Sequence, residues 1–201
     1  MSLIERVHES SIYGRRIGAL AQALAPLLPA SGRILDVGCG DGLLDSILMQ
    51  ERGGDAQIEG LDVLLRPKTH IPVSLFDGKT IPFPDRSFDT VMFVDVLHHT
   101  DDPAVLLAEA RRVSRNHIVI KDHLLEGFLA GSTLRFMDWV GNARHSVRLP
   151  YNYWTREQWS RAFAALNVDV RVMNDRLALY PPLLNQLFGR SLHFVAQLGV
   201  S

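Results

Sequence analysis

The run Ile34-Leu35-Asp36-Val37-Gly38-Cys39-Gly40-Asp41-Gly42-Leu43-Leu44 constrains the fold more than any other stretch of this chain. An apolar segment ends in an acid, turns on three alternate glycines and enters a helix. Glycine adopts positive φ and lets a ligand approach the backbone closely, while the helix behind it offers unpaired N–H groups and a positive dipole end. A turn of this kind is suited to a cofactor bearing a carboxylate or phosphate. It also implies strands alternating with helices about a parallel sheet.

The remaining pattern agrees. Ile17, Leu20, Ala21, Leu24, Leu27 and Leu28 recur at helical spacing and predict an amphipathic helix over about 14–28, ended by Pro29 and Gly32. Strands are expected at 33–37, at 57–61 closing on Asp62, at 71–75, at 87–94 and at 117–121. The near-continuous apolar run 87–94 suits a central parallel strand. Asp102 and Pro103 open a helix whose inner face is Leu106, Ala110 and Val113. A helix over 124–140, a capping box at Thr155-Arg156-Glu157-Gln158 and strands at 168–173 and 191–198 complete the order.

With 201 residues, 47% of them hydrophobic, the chain has enough apolar side chains for one domain, 1–201. A net charge of -1 with scattered Lys and Arg gives no electrostatic footprint for nucleic acid. No apolar run approaches the ~18 residues of a membrane span, and Met1 to His8 lacks a basic segment leading into an apolar core, so a cytoplasmic protein is expected. The single cysteine, Cys39, has no internal disulfide partner.

Spacing separates two cofactor families. The dinucleotide fingerprint G-x-G-x-x-G, counted from Gly38, requires a small residue where this chain has Leu43. The pattern Asp36-x-Gly38-x-Gly40-x-Gly42 instead resembles the class I S-adenosylmethionine-dependent methyltransferases, in particular the small-molecule group that includes quinone-biosynthesis enzymes. Ile81-Pro82-Phe83-Pro84-Asp85-Arg86-Ser87-Phe88-Asp89 and Val94-Asp95-Val96-Leu97-His98-His99 match that group's pattern as well. The resemblance implies a Rossmann-like, doubly wound, seven-stranded, mostly parallel sheet with the last strand antiparallel and helices on both faces. It also implies S-adenosyl-L-methionine as the cofactor.

In open α/β sheets ligands bind beyond the carboxyl ends of the strands, so the acids there carry the site. Asp36 is expected to meet the methionine ammonium, directly or through water, while amides around Gly38 and Gly40 approach its main body. Asp62, twenty positions beyond Gly42, is placed to accept from both ribose hydroxyls. By resemblance Asp77 takes the adenine amino group, with Phe76 beside the ring. Asp95 to His99 would line the cleft between cofactor and acceptor, and His98 or His99 is a candidate general base because imidazole titrates near neutrality. His123, in Lys121-Asp122-His123, is the second candidate base. Asp36, Asp77 and the histidines each have a local structural role as the alternative. No metal site is expected, because His98, His99, Asp101 and Asp102 diverge and no second cluster completes a ligand set.

Residues 124–166 are expected to cover the substrate, with Phe128, Phe136, Trp139, Tyr151, Tyr153, Trp154 and Trp159 interleaved with Arg135, Arg144, Arg148 and Arg156. Tyr13, Arg15 and Arg16 precede a helix that could close over the site. Leu179 to Phe188 are expected to form a packing layer, or a face toward a lipid-like acceptor or another subunit. The reading is methyl transfer by in-line displacement to a small apolar or aromatic metabolite, by a monomer or homodimer. The competing readings are a non-catalytic S-adenosylmethionine-binding module and a nicotinamide-dependent oxidoreductase.

Overall fold

In the computed structural model the described residues are 3–53, 55–142, 150–189 and 191–200, with side chains described from Gly14 onward except at 141–142. Arg144, Arg148 and the side chain of Tyr13 therefore lie outside the described residues. Seven strands form one sheet: β1 (Ser31–Val37), β2 (Asp55–Asp62), β3 (Val73–Leu75), β4 (Phe88–Val94), β5 (Ser114–His123), β6 (Asp169–Asn174) and β7 (His193–Gly199), in the order β3-β2-β1-β4-β5-β7-β6. β1 to β5 pair in parallel, while β7 runs antiparallel to both β5 and β6. This is the expected Rossmann-like architecture. Its order reverses between β1 and β4, which opens a crevice at their carboxyl ends.

Alternation along the strands divides the core. Ile34, Met92, Val119 and Val195 point to one face, where α1 (Leu3–Leu24) and α2 (Leu43–Arg52) bring Leu20, Leu24 and Leu48. Their neighbours Leu35, Val91, Phe93, Ile118, Ile120 and Phe194 point to the other. There α3 (Pro103–Val113) brings Leu106 and Ala110, and α5 (Arg156–Ala165) brings Trp159 and Phe163. Each large apolar side chain so buried contributes about 1.5–3 kcal/mol. Asp102 accepts from the Ala104 amide at 3.0 Å, and Thr155 and Gln158 form the expected capping box.

Several boundaries differ from expectation. The first helix runs from Leu3 to Leu24 and then tightens into a 3₁₀ turn at Ala25–Leu27, because Pro26 cannot continue an α-helix. β3 loses 71–72: Pro72 has no N–H, and its carbonyl accepts from the Gly60 amide. The helix expected over 124–140 is α4 (Ala130–Asn142). Its first turn is replaced by extended chain because Leu124 and Leu125 donate their amides to Leu192 and Trp154, and Gly127 and Leu129 take positive φ. Since α5 packs its tryptophan and phenylalanine into the core, the last part of 124–166 serves the sheet.

Candidate cofactor and active site

The glycine turn makes its contacts through shape. Gly38 has φ +84, and a Cβ there would lie 2.4 Å from Cγ2 of Val96, so only glycine admits the β4 loop at that point. Gly40, at φ +63, has open space where its Cβ would be. The amides expected to approach a cofactor are already used: Gly38 N–H donates to Leu61 O at 2.6 Å, and Gly40 N–H donates to Asp62 Oδ2 at 2.8 Å. The other oxygen of Asp62 accepts from the Leu64 amide at 2.9 Å. These bonds hold the Asp62 carboxylate across the turn and leave further lone pairs on both oxygens. Cys39 packs over Gly60, which explains the small side chain, and burial raises its thiol pKa well above the ordinary value.

Even-numbered positions of β1 face α2, which sets Asp36 against Asp45. Asp36 Oδ1 and both carboxyl oxygens of Asp45 are buried without a hydrogen-bond donor among the described residues. Burial first, and then the neighbouring carboxylate, hold Asp36 well above the usual carboxylate range. Burial likewise raises Asp45 to about 7. Two carboxyls this close cannot both ionise in a low dielectric unless a cation joins them. Sequence reasoning missed Asp45, although its place three positions after Gly42 on the first turn of a helix was a visible signal.

Asp77 is exposed, and its Oδ1 accepts from the amides of Lys79 and Thr80 at 2.8 and 2.7 Å, so the local turn is present. Those amides lower its pKa. The same turn approaches the end of β2: a Cβ on Gly78 would lie 3.1 Å from Cγ1 of Val63, which is itself exposed. Asp62, Val63 and Asp77 thus share one side of the crevice. Val63 was not anticipated from the sequence.

On the other side, a 3₁₀ turn at Leu97–His99 separates the two histidines expected there. His98 is buried, and its Nδ1 donates to Asp122 Oδ1 at 2.6 Å while Nε2 lies 3.4 Å from Asp138 Oδ2 on α4. Burial alone lowers an imidazole pKa, but Asp122 and then Asp138 raise His98 to about 10, so it is an imidazolium at neutral pH. Asp138 also accepts from the Tyr153 hydroxyl. His99 is half-buried, its ring centroid 4.1 Å from that of His98. Burial and the His98 charge lower it to about 4. Its buried Nδ1 has no hydrogen-bond partner among the described residues.

His123 lies deeper than expected. It is buried at the end of β5, paired in register with His193 on β7, and its Nδ1 is 3.3 Å from both His98 Nδ1 and Asp122 Oδ1. Burial and the His98 charge lower its pKa. Asp95, at φ +58, has both oxygens engaged: one accepts from Lys121 Nζ, the other from Arg16 Nη2 at 2.7 Å. Those cations hold it well below the carboxylate range against the effect of burial. Asp95 therefore ties α1, through Arg16, to the end of β4. Lys121 Nζ also lies 3.3 Å from His193 Nδ1, a partner that β7 alone supplies.

The second group of donors judged missing from the sequence is thus present. His98, Asp122 and His123 converge, as do Asp95, His123 and His193, and His98, His99 and Asp138, each set within 4.8 Å. Among the described residues their carboxylates Asp95, Asp122 and Asp138 are matched by Lys121, Arg16 and the His98 imidazolium, so the cluster balances its charge with protein groups.

Comparison with known proteins decides the family. Residues 9–171 match the family described as Methyltransferase domain. The chain belongs to this methyltransferase family. It is 30% identical over 155 residues to the 2-methyl-6-phytyl-1,4-hydroquinone methyltransferase of Synechocystis sp., covering 69% of this chain and 44% of that protein. To the 27-O-demethylrifamycin SV methyltransferase of Amycolatopsis mediterranei it is 27% identical over 140 residues, covering 61% and 51%. The chain spans about half the length of these curated relatives. Among solved structures, an S-adenosylmethionine-dependent methyltransferase from Thermotoga maritima shares the fold at a TM-score of 0.68 and 19% identity, covering 99% of this chain and 96% of that one. One from Mesorhizobium loti does so at 0.64 and 18%, covering 90% and 97%.

Family and fold imply S-adenosylmethionine as the cofactor and set the nicotinamide reading aside. The residues present fit it. A buried carboxyl pair with unmet oxygens suits an ammonium group, and the open Cα face of Gly40 admits a ligand beside it. No helix among the described residues is long and apolar enough to cross a membrane.

Proposed function

We propose that the chain transfers a methyl group from S-adenosylmethionine to a small apolar or aromatic acceptor that carries an acidic hydroxyl or carbon. The observation that carries this reading is His99, a neutral imidazole at the crevice whose Nδ1 is unmet beside a fixed imidazolium. The curated relatives point the same way, one being named for a hydroquinone and the other for an O-demethylated rifamycin.

In this reading Asp36 and Asp45 hold the ammonium end of the cofactor, the bare backbone of Gly38 and Gly40 lies along its main body, and Asp62 accepts from the ribose hydroxyls. Asp77 offers its second oxygen to the adenine amino group, with Val63 and Phe76 beside the ring. When bound, the cofactor supplies a methyl group on a sulfonium sulfur, whose departure needs no acid. His99 receives the acceptor's proton, and His123 stays neutral beneath it. Residues 124–142 and 150–155, with α1 latched by Arg16 to Asp95, cover the cleft and exclude water, so that most of the rate comes from positioning, at most about 7–11 kcal/mol for well-oriented reactants.

The test is transfer of a labelled methyl group from S-adenosylmethionine to a panel of hydroquinones, phenols and primary amines. Labelling of the hydroquinones or phenols, lost in His99→Gln while the cofactor still binds, is the expected result. Transfer to amines alone, undiminished by His99→Gln, would overturn it.

A further inference from the structure

Of the three groups of converging donors, one is built to take a further ligand. In the group of Asp95, His123 and His193, the Lys121 ammonium already bridges Asp95 and His193 Nδ1. In the group of His98, Asp122 and His123, the Asp122 carboxylate is engaged by the His98 ring and by the amides of Leu97 and His123. The third group differs. A ring nitrogen of His98, one of His99 and a carboxylate oxygen of Asp138 lie within 4.8 Å of one another. The 3₁₀ turn at Leu97–His99 tilts the two adjacent rings by 44° with their centroids 4.1 Å apart, so side chains that the sequence predicts to diverge converge instead.

His98 Nε2 and His99 Nδ1 are both buried without a hydrogen-bond partner among the described residues, and His98 as a whole is 2% exposed. The 3.4 Å from His98 Nε2 to Asp138 Oδ2 exceeds a charge-assisted hydrogen bond of about 2.7–2.9 Å. Ligand atoms held at about 2.1 Å around a tetrahedral zinc ion lie about 3.4 Å from one another. The supports for such an ion are in place. Asp122 Oδ1 accepts from His98 Nδ1 at 2.6 Å, which orients the ring and fixes the tautomer whose Nε2 lone pair binds a metal. The Tyr153 hydroxyl donates to Asp138 Oδ2 at 2.5 Å and holds that carboxylate. Asp122 and Asp138 bring two negative charges to the one positive charge of His98, so a dication in place of the His98 proton neutralises the pair.

We propose that His98 Nε2, His99 Nδ1 and Asp138 form a binding site for a divalent transition ion of the zinc class. Two imidazoles and one carboxylate are a donor set that zinc accepts in four-coordinate sites. The ion displaces the His98 proton, because its ligands bind deprotonated. It also takes the nitrogen assigned above to the acceptor's proton, so the metal-loaded protein is expected to lose methyl transfer to hydroxyl acceptors. That consequence rests on the proposed role of His99, whereas the site itself does not.

Competition against a chromophoric chelator measures the affinity for Zn²⁺, and the visible spectrum of the Co²⁺-loaded protein reports the coordination. Zn²⁺ is expected to bind in a single equivalent, and Co²⁺ to show the intense visible bands of a four-coordinate ion. Tyr153→Phe keeps the ligands and removes only the bond that orients Asp138, and should weaken Zn²⁺ by about 10–100-fold. His99→Gln should abolish the site while the chelator-treated variant melts and binds S-adenosyl-homocysteine like the parent, which separates loss of the site from loss of the fold. Failure of the parent to compete for Zn²⁺, a Co²⁺ spectrum of the six-coordinate aqueous type, or Zn²⁺ binding that survives His99→Gln overturns the proposal. Zn²⁺ that binds in the parent, is lost in His99→Gln and yet leaves labelled methyl transfer intact supports the site and counts against His99 as the proton acceptor.

Discussion

His98 Nδ1 donates to Asp122 Oδ1 across 2.6 Å, joining the turn after β4 to the end of β5 inside the protein. With Asp138 beyond it, this places one buried positive charge between two buried carboxylates. It also explains why the adjacent His99 stays neutral, since an imidazolium beside it opposes a second protonation.

Replacing His98 with Asn leaves Asp122 and Asp138 buried without their shared cation, and is expected to cost about 3–5 kcal/mol near neutral pH. The folded pKa of His98, about 10, lies above its unfolded 6.5, so its stabilisation is full below about 6.5 and is lost as pH rises through about 10. Chemical denaturation of parent and variant across that range should show the gap narrowing toward pH 10. A gap independent of pH would mean that His98 is held neutral.

His99→Gln should lower kcat by about 10²–10⁴-fold while cofactor affinity is unchanged. With His99 at about 4 and His98 at about 10, kcat of the parent at saturating cofactor should be flat from about pH 5 to about pH 9. A step at the ordinary histidine value would remove His99 from the role assigned to it. The depressed pKa also has a stability consequence of opposite sign to that of His98: the neutral ring's contribution is complete above 6.5 and is lost as pH falls through about 4.

Asp45→Asn is expected to raise the melting temperature of the cofactor-free protein at pH 8 by several degrees and to raise it less at pH 5. Its folded pKa of about 7 exceeds the unfolded 3.8, so its contribution is full below 3.8 and is lost as pH rises through about 7, which the amide avoids. The same variant should bind S-adenosylmethionine more weakly. Calorimetry of the parent at pH 7 in buffers of different ionisation enthalpy should detect protons released on binding, and their absence would separate this pair from the ammonium.

Asp62→Ala should weaken the cofactor by about 1–3 kcal/mol through lost charge-assisted hydrogen bonds. It should also lower stability, since the amides of Gly40 and Leu64 lose their acceptor. Asp62→Asn keeps an acceptor for one of them and should fall between. Unchanged affinity in the alanine variant would sink the ribose assignment.

The glycine turn, the order of elements and the acids at the strand ends were all legible in the chain, because each is written in contiguous residues. The misplacements have particular causes. The helix expected from 124 fails at its start because Leu124 and Leu125 find partners in Leu192 and Trp154, far along the chain. The partner of Asp95 was equally hidden, since Arg16 lies 79 residues away along the chain.

The sequence by itself determined the sheet, its faces and the acid-and-glycine turn, since side-chain periodicity and backbone freedom are local properties. Which histidine becomes a buried cation, which stays neutral, and which aromatics face water were decided only in three dimensions. Those outcomes depend on burial and on partners such as Asp122, Asp138 and His193, brought together by strand register and by the antiparallel return of β7. Neither burial nor register is recorded in the spacing of neighbouring residues.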